Sequence, residues 1–472
     1  MLKQDTITAV ATPPGEGGIA IVRISGPEAH RIAERIFRPR SRRDLSASPG
    51  GATRYGRFID PQTGEAADDG LLTLFRRPRS YTGEDVVELS CHGGRANTAR
   101  ILQLTLQAGA RLAEPGEFTE RAFLNGRVDL AQAEAVADVI RAQTEAARRL
   151  ARRQLEGTVS QAVYHLKDEL IGILAAIEVT IDFSDEVGEL EYEPLEARME
   201  SVERDMIRLI ESADRGRVLR EGLNVAIVGR PNVGKSSLLN ALLRAERAIV
   251  TPIAGTTRDL IEETAHIGGV PILLTDTAGI RDTLDVVERI GVERAQEAAG
   301  RSEVALLVVD VTEGITAEDR AIADQVAEAG VGRLLIVLNK CDLVDSGRAE
   351  EVAEQAQRLR ADASTEVIAL SAQTGEGLEA LEEALMRPYL ETERTQAEGS
   401  ASVIVSNARH LQALEAARDS LREAGRTVAQ RLPGDFIAID VRGALESLGQ
   451  ITGETVTEDI IHRIFRDFCV GK

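Results

Sequence analysis

The sequence predicts a multidomain protein of mixed α/β and α class: an N-terminal α+β domain, then a helical bundle whose chain is interrupted by a doubly wound α/β domain. Three observations carry this prediction. Residues 1 to 120 alternate short strand-like and helical pieces, punctuated by breakers such as Pro13-Pro14-Gly15 and Ser48-Pro49-Gly50. Two blocks with apolar residues at helical spacing flank a stretch of about 165 residues of different character. Within that stretch an apolar run of strand length, Leu223 to Val228, leads into a glycine loop and then into helical composition.

Length and composition agree. A chain of 472 residues is too long for one core. Its 43% hydrophobic and 28% charged residues describe a globular protein, and aromatics at 3% with no Trp leave the packing to aliphatic side chains. The net charge of −21 argues against a broad nucleic-acid surface, which needs clustered Lys and Arg. The local basic runs Arg38–Arg43 and Arg148–Arg153 read first as solvated faces. Cys91, Cys341 and Cys469 have no metal-ligand spacing and leave one unpaired, which fits a reducing compartment. Residues 1–20 carry Asp5 and Glu16 without an apolar core, and no segment approaches 18 apolar residues, so neither a signal peptide nor a membrane span is expected.

In the N-terminal part the clearest strands are Ile19 to Ser25 and Asp85 to Cys91, in a mainly antiparallel sheet. Each carries a charge in an awkward place. Glu88 shares a face with Val86 and Ser90, while Val87, Leu89 and Cys91 take the other, and Arg23 sits within an apolar run. Such charges need partners if buried. Mutual pairing of Arg23 and Glu88 is one reading, and a polar small-molecule pocket is the other.

From Arg127 to Phe183 there is no proline. Val136, Val139 and Ile140, then Val159, Val163, Leu166, Leu170, Ile173 and Leu174, mark one buried helical stripe. Leu195 to Leu219 continues it, and the pattern returns at Leu411, Leu414, Leu421 and Val428, at Ile437 to Leu448, and at Ile460 to Phe468. The expected boundaries are 1–120, 121–217, 218–383 for the inserted domain, and 384–472.

The inserted domain contains Gly229-Arg230-Pro231-Asn232-Val233-Gly234-Lys235-Ser236-Ser237, a G-x-x-x-x-G-K-S loop between strand and helix. Its glycines let backbone N–H groups and the helix N-terminus approach a triphosphate. Lys235 brings a positive charge to the β- and γ-phosphates, and the Ser236 hydroxyl brings one oxygen to Mg²⁺. Four later elements separate GTP from ATP. Gly255-Thr256-Thr257-Arg258-Asp259 offers Thr257 as a second Mg²⁺ oxygen. Asp276-Thr277-Ala278-Gly279 ends an apolar strand, with Asp276 placed for a metal-bound water and Gly279 for the γ-phosphate. Asn339-Lys340-Cys341-Asp342 ends another; Asp342 can accept two hydrogen bonds from guanine, whereas adenine would leave that charge unpaired. Ser371-Ala372 offers a backbone N–H to guanine O6. These elements describe a Ras-like GTP-binding domain. Ile280 replaces the water-orienting Gln of small signalling GTPases, so Asp282, Asp285 or Glu288 must be considered for that role.

The combination of Gly229–Ser237, Ala254–Asp259, Asp276–Arg281, Glu288-Arg289-Ile290-Gly291 and terminal Phe468-Cys469-Val470-Gly471-Lys472 resembles the MnmE (TrmE) family of tRNA-modification GTPases. Ala11-Thr12-Pro13-Pro14-Gly15, Tyr81-Thr82-Gly83-Glu84-Asp85 and Pro115 to Asn125 are similar to that family too. The resemblance implies a cytoplasmic, homodimeric GTPase. It would act on tRNA in a heterotetramer with the flavoprotein MnmG (GidA), adding an aminomethyl or carboxymethylaminomethyl group at C5 of the wobble uridine. It implies an N-terminal folate-binding domain using a 5,10-methylene- or 5-formyl-tetrahydrofolate, with Arg23, Glu88, Arg127 and Lys472 as folate contacts. Arg127 stands where some relatives have Lys. Cys469 would be either a catalytic thiol or a buried small apolar residue. Potassium activation is also implied, with K⁺ held by Asn232, Thr251, Ile253 and Thr256 in a loop where Pro252 and Ala254 also contact the nucleotide. Such a cation would replace an arginine finger, whose contribution elsewhere is about 10³–10⁵ in rate. Glu288 would position the attacking water and Arg281 would steady the switch. Two other classes share the GTP motifs, a ribosome-assembly switch of the Era type and a GTP-dependent structural assembly protein. Folate binding by residues 1–120 would count against both.

Overall fold

The structure, a computed structural model, describes residues 5–40, 49–188, 190–245, 262–276, 302–359, 365–396 and 403–471. Two compact units emerge. The first comprises Met1–Ile140, Arg153–Met206 and Gln412–Lys472; the second comprises Arg141–Arg152 and Ile207–Leu411.

The first unit begins with a sheet of seven strands among the described residues: β1 (Ile7–Val10), β2 (Ile19–Ser25), β3 (Phe37–Pro39), β4 (Thr53–Ile59), β5 (Ala66–Phe75), β6 (Val86–His92) and β7 (Arg111–Leu112). Their order is β3-β4-β5-β6-β2-β1-β7. All pairs are antiparallel except β1 with β7. Alternation decides which side is apolar: Val87, Leu89 and Cys91 join Val22, Ile24, Leu72 and Leu74 in a core closed by Ile32 and Ile36 of helix Ala29–Ile36 and by Ile101 and Leu104 of helix Arg95–Gln107. Glu88 and Ser90 remain half-buried on the other side.

In the helical part, Val163, Leu166, Leu170, Ile173 and Ile177 line the buried stripe of helix Thr158–Asp182. It packs against helix Gly434–Thr452, which contributes Ile437, Val441, Ala444, Leu448 and Ile451. Where they cross near one end, a Cβ on Gly434 would lie 3.1 Å from Ile177 and 3.3 Å from Ile181, so glycine permits the close approach. The stripe is not continuous from Val136. Thr144 caps a separate helix, Glu145–Leu155, and Gly157, at φ 90°, starts the next. Ile140 is corrected from the expectation: it is 48% exposed, because helix Leu130–Arg141 is buried through Asp138 and emerges in its last turn.

The second unit is built on a six-stranded sheet among the described residues: β8 (Leu223–Val228), β9 (Glu262–Ile267), β10 (Val270–Asp276), β11 (Val304–Asp310), β12 (Arg333–Asn339) and β13 (Glu366–Ala369), ordered β13-β12-β11-β8-β10-β9. Only β9 and β10 run antiparallel. The central strands are apolar on both faces, as a covered parallel sheet requires. Val225, Ile227, Leu306 and Val308 enter one core, and Ala226, Val228, Leu307 and Val309 enter the other. Strand order reverses beside β8, which makes the carboxyl ends of β8, β10, β11 and β12 the ligand edge of this sheet. Among the described residues no helix is long and apolar enough to cross a membrane.

Candidate functional site

At the ligand edge, β8 ends at Val228, the loop Gly229 to Gly234 turns back, and helix Lys235–Ala245 begins. Two glycines are required by contact. At Gly229 a Cβ would lie 2.5 Å from the Val308 carbonyl, and at Gly234 (φ 103°) it would lie 2.1 Å from Asn339 Nδ2. Asn232 is held in the left-handed region, φ 64°, although it is not glycine. Val233 is buried beneath the turn, and Ser236 and Ser237 lie in the first turn of the helix, open to solvent in part or in full. Lys235 Nζ donates to the carbonyls of Gly229 (2.8 Å) and Arg230 (2.7 Å), so its ammonium lies within the curl of the loop. Arg230 is pinned outside it by Asp319 and Glu313.

The loop after β12 is stitched to this turn. Asn339, 2% exposed, donates from Nδ2 to the Val233 carbonyl at 2.8 Å and accepts at Oδ1 from the Ala372 N–H at 3.0 Å. Lys340, also left-handed at φ 68°, donates from Nζ to the Asn232 carbonyl (3.0 Å) and to Asp310 Oδ2 (2.5 Å). Asp342 follows in the turn Cys341–Leu343 and is exposed. Burial pushes the Asp310 carboxyl up, but the bonds from Lys340 and Thr312 outweigh it and hold the group below its ordinary value.

The N–H groups of Ser371 and Ala372 bond the Glu376 carbonyl (2.9 Å) and Asn339 Oδ1 (3.0 Å). Asp276 closes β10 beside Ile227. Thr251, Pro252, Ile253, Ala254, Gly255, Thr256, Thr257, Thr277, Ala278, Gly279, Arg281, Glu288 and Lys472 lie outside the described residues. The residue that sequence reasoning missed is Asp310. Its signal was a lone carboxylate ending the all-apolar strand Val304 to Val309 at the ligand edge.

In the first unit, Arg23 of β2 and Glu88 of β6 are register partners. Arg23 donates to Glu88 Oε1 from Nε (3.0 Å) and Nη2 (2.8 Å). The pair is not sealed: the two side chains keep 12% and 23% of their exposure. The guanidinium also stands 5.2 Å from the Tyr81 ring and 5.6 Å from the Phe118 ring. Its third nitrogen reaches the Gly471 carbonyl at 3.4 Å. The chain terminus therefore arrives at this pair. Phe465 and Phe468, packed with Phe123, anchor the preceding helix Glu458–Arg466. The Gly116 N–H then bonds the Cys469 carbonyl at 3.4 Å. Cys469 is exposed, which removes the reading of it as a buried apolar residue. Cys91 is the buried thiol, pushed up to about 11 by desolvation and by Asp68.

Beside the pair lies a charged network. Ser25 Oγ meets Thr82 Oγ1 and Glu84 Oε2, each at 2.7 Å. Arg121, 4% exposed, joins Glu84, Asp5 and Glu117, and Arg111 joins Asp5 and Glu117. Arg127 is exposed beside Gly83, whose added Cβ would lie 3.2 Å from Arg127 Cγ. Arg127 lines an open hollow of about 470 Å³ with Asp129, Gln132 and Tyr164, and neither Arg23 nor Glu88 borders it. The structure thus joins Arg23, Glu88 and the terminal segment, and sets Arg127 beside the adjoining turn. Among the described residues no His, Cys, Asp and Glu cluster could hold a metal ion.

Two family models match the chain, "MnmE helical domain" over residues 130–469 and "GTP-binding protein TrmE N-terminus" over residues 6–127. The curated "tRNA modification GTPase MnmE" of Moorella thermoacetica is 48% identical over 469 residues, covering 99% of each chain. That of Carboxydothermus hydrogenoformans is 46% identical over 472 residues, covering all of both. Among solved structures, a point variant of Aquifex aeolicus Era bound to GDP·AlF4⁻ is similar over 42% of this chain and 66% of that one, with 28% identity and a TM-score of 0.30.

Proposed function

The chain belongs to the MnmE family of tRNA modification GTPases, and from that premise we propose that it hydrolyses GTP in a potassium-activated cycle coupled to modification of the tRNA wobble uridine. The observation that carries this reading is the stitching of the phosphate loop to the base-reading loop by Asn339 and Lys340. A triphosphate and a guanine are thereby addressed by one continuous surface, with Gly229 and Gly234 letting the loop pack directly against Val308 and Asn339. The residues present fit the ions such a cycle needs. Ser236, at the helix start, would hold Mg²⁺ together with Thr257; Asn232, with its backbone fixed, would hold K⁺ together with Thr251, Ile253 and Thr256. When bound, these cations neutralise charge on the transferring phosphoryl. Lys235 steadies the phosphates, Glu288 orients the water and Arg281 supports the switch.

The same reading assigns the Arg23–Glu88 pair to a 5,10-methylene- or 5-formyl-tetrahydrofolate. A guanidinium within about 6 Å of two aromatic rings and paired to a carboxylate suits a flat heterocycle with amide and amine edges. Arg127, Lys472 and the exposed Cys469 complete this assignment. The folate would supply the one-carbon unit; the protein's own groups orient it. A homodimer working in the cytoplasm with the flavoprotein MnmG as a heterotetramer belongs to the proposal.

The test is GTP turnover by the full chain with Mg²⁺, in K⁺ and in equimolar Na⁺, with ATP as competitor. Turnover is expected to be specific for GTP and much faster in K⁺. Equal rates in the two salts remove the cation mechanism, and preference for ATP removes the reading.

A further inference from the structure

We propose that Asp310 is a positioning residue that locks the base-reading loop to the phosphate loop, by holding the Lys340 ammonium on the Asn232 carbonyl. This rests on the nucleotide reading of the site and adds a residue to it.

Asp310 is the last residue of β11, 5% exposed, and the sheet register places it beside Asn339, one residue before Lys340. Both carboxylate oxygens are committed. Oδ1 accepts from the Thr312 N–H (3.0 Å) and the Thr312 hydroxyl (2.7 Å), while Oδ2 accepts from Lys340 Nζ (2.5 Å). Thr312 fixes the carboxylate and the carboxylate fixes the ammonium. The ammonium in turn donates to Asn232 O at 3.0 Å. At both ends of this bridge a non-glycine residue is held left-handed, Lys340 at φ 68° and Asn232 at φ 64°. Such backbones persist only where their surroundings over-determine them. A lysine side chain is long and rotamer-rich, so its placement on one carbonyl needs an anchor, and Asp310 is that anchor. The conformation of Asn232, in the phosphate loop, then depends on a carboxylate far along the chain. Asn339 makes a second, neutral tie between the same loops, which is why loss of Asp310 should loosen the site without dismantling it.

The experiment is a double-mutant cycle on the full chain, read as the affinity for fluorescent GDP with Mg²⁺. Asp310→Asn is expected to weaken binding by about 10-fold, the factor that corresponds to about 1.4 kcal/mol. Lys340→Met is expected to weaken it at least as much, and the double variant no more than Lys340→Met alone. An Asp310→Asn chain that binds like wild type, or effects that simply multiply, overturns the proposal. Should Asp310→Asn not fold, backbone hydrogen exchange at Asn232 and Val233 in Lys340→Met decides the question. Faster exchange than in wild type supports the bridge, and unchanged exchange overturns it. A wild-type chain that fails to bind GDP would instead refute the nucleotide reading itself.

Discussion

Replacing Gly471 by Ala asks whether the chain terminus is held at the Arg23–Glu88 pair by a contact that only glycine allows. Gly471 has φ 96°, and a Cβ there would lie 2.2 Å from the Val10 carbonyl oxygen and 3.0 Å from Ala11 Cα. Neither atom can retreat cheaply. Val10 closes β1 opposite Val22, and the Ala11 N–H is bonded to Ile21 O at 2.8 Å. The terminus must yield instead. Left-handed backbone costs a non-glycine residue about 1–2 kcal/mol. Loss of the Arg23 bond to Gly471 O, long at 3.4 Å, adds a value near the low end of the roughly 1.5–3 kcal/mol typical of bonds to charged groups. The sum, about 3 kcal/mol, lowers the docked population roughly 100-fold relative to the released one. Two measurements report it. Hydrogen exchange at the Gly116 N–H, which bonds Cys469 O, should accelerate by up to that factor. Affinity for 5-formyl-tetrahydrofolate by calorimetry should fall at least 10-fold. Unchanged exchange at Gly116 would refute the steric reasoning. Accelerated exchange with unchanged folate affinity would refute the assignment of the terminus to the folate site.

Two further perturbations follow from the geometry. Gly234→Ala would place a methyl against Asn339 Nδ2 and break its bond to Val233 O; with the left-handed backbone cost this amounts to about 2–3 kcal/mol, so GDP affinity by fluorescence titration should drop about 30- to 150-fold. Near-wild-type binding would mean that the two loops are not rigidly joined. Burial alone would raise the Glu117 carboxyl, but bonds from Arg111, the Glu114 N–H and Arg121 hold it below its ordinary 4.5. A depressed carboxylate contributes stability that is complete above its unfolded value and is lost as pH falls through the lower folded one. Glu117→Gln, which leaves Arg121 and Arg111 short of a buried partner, should therefore cost about 3 kcal/mol at pH 7, with a melting temperature less sensitive to pH below 4.5 than that of wild type. Melting curves that shift in parallel at every pH would contradict the linkage.

What could be read from the chain beforehand divides along a physical line. Strand Leu223–Val228 was legible because a parallel strand covered on both faces is apolar throughout, and the glycine loop after it has few other uses. Strand Ile19–Ser25 was legible from its composition, but its register was not. Opposing Arg23 to Glu88 depends on which strand becomes the neighbour, and that is settled by the whole sheet. Hence the choice between ion pair and pocket stayed open, and the structure shows why the alternatives do not compete. The carboxylate and guanidinium pair with each other yet stay partly open, with the guanidinium near the Tyr81 and Phe118 rings. Breaks at Thr144 and Gly157 were hidden by the absence of proline, although a capping threonine and a left-handed glycine mark helix boundaries equally well. The hardest features join the most distant residues: Gly471 to Arg23 across nearly the whole chain, and Asp310 to Lys340 across a strand and a helix. Local periodicity identifies elements and motifs identify chemistry. Neither encodes a contact that exists only once separate elements have packed, and at this protein's two candidate sites such contacts set the geometry of the reacting groups.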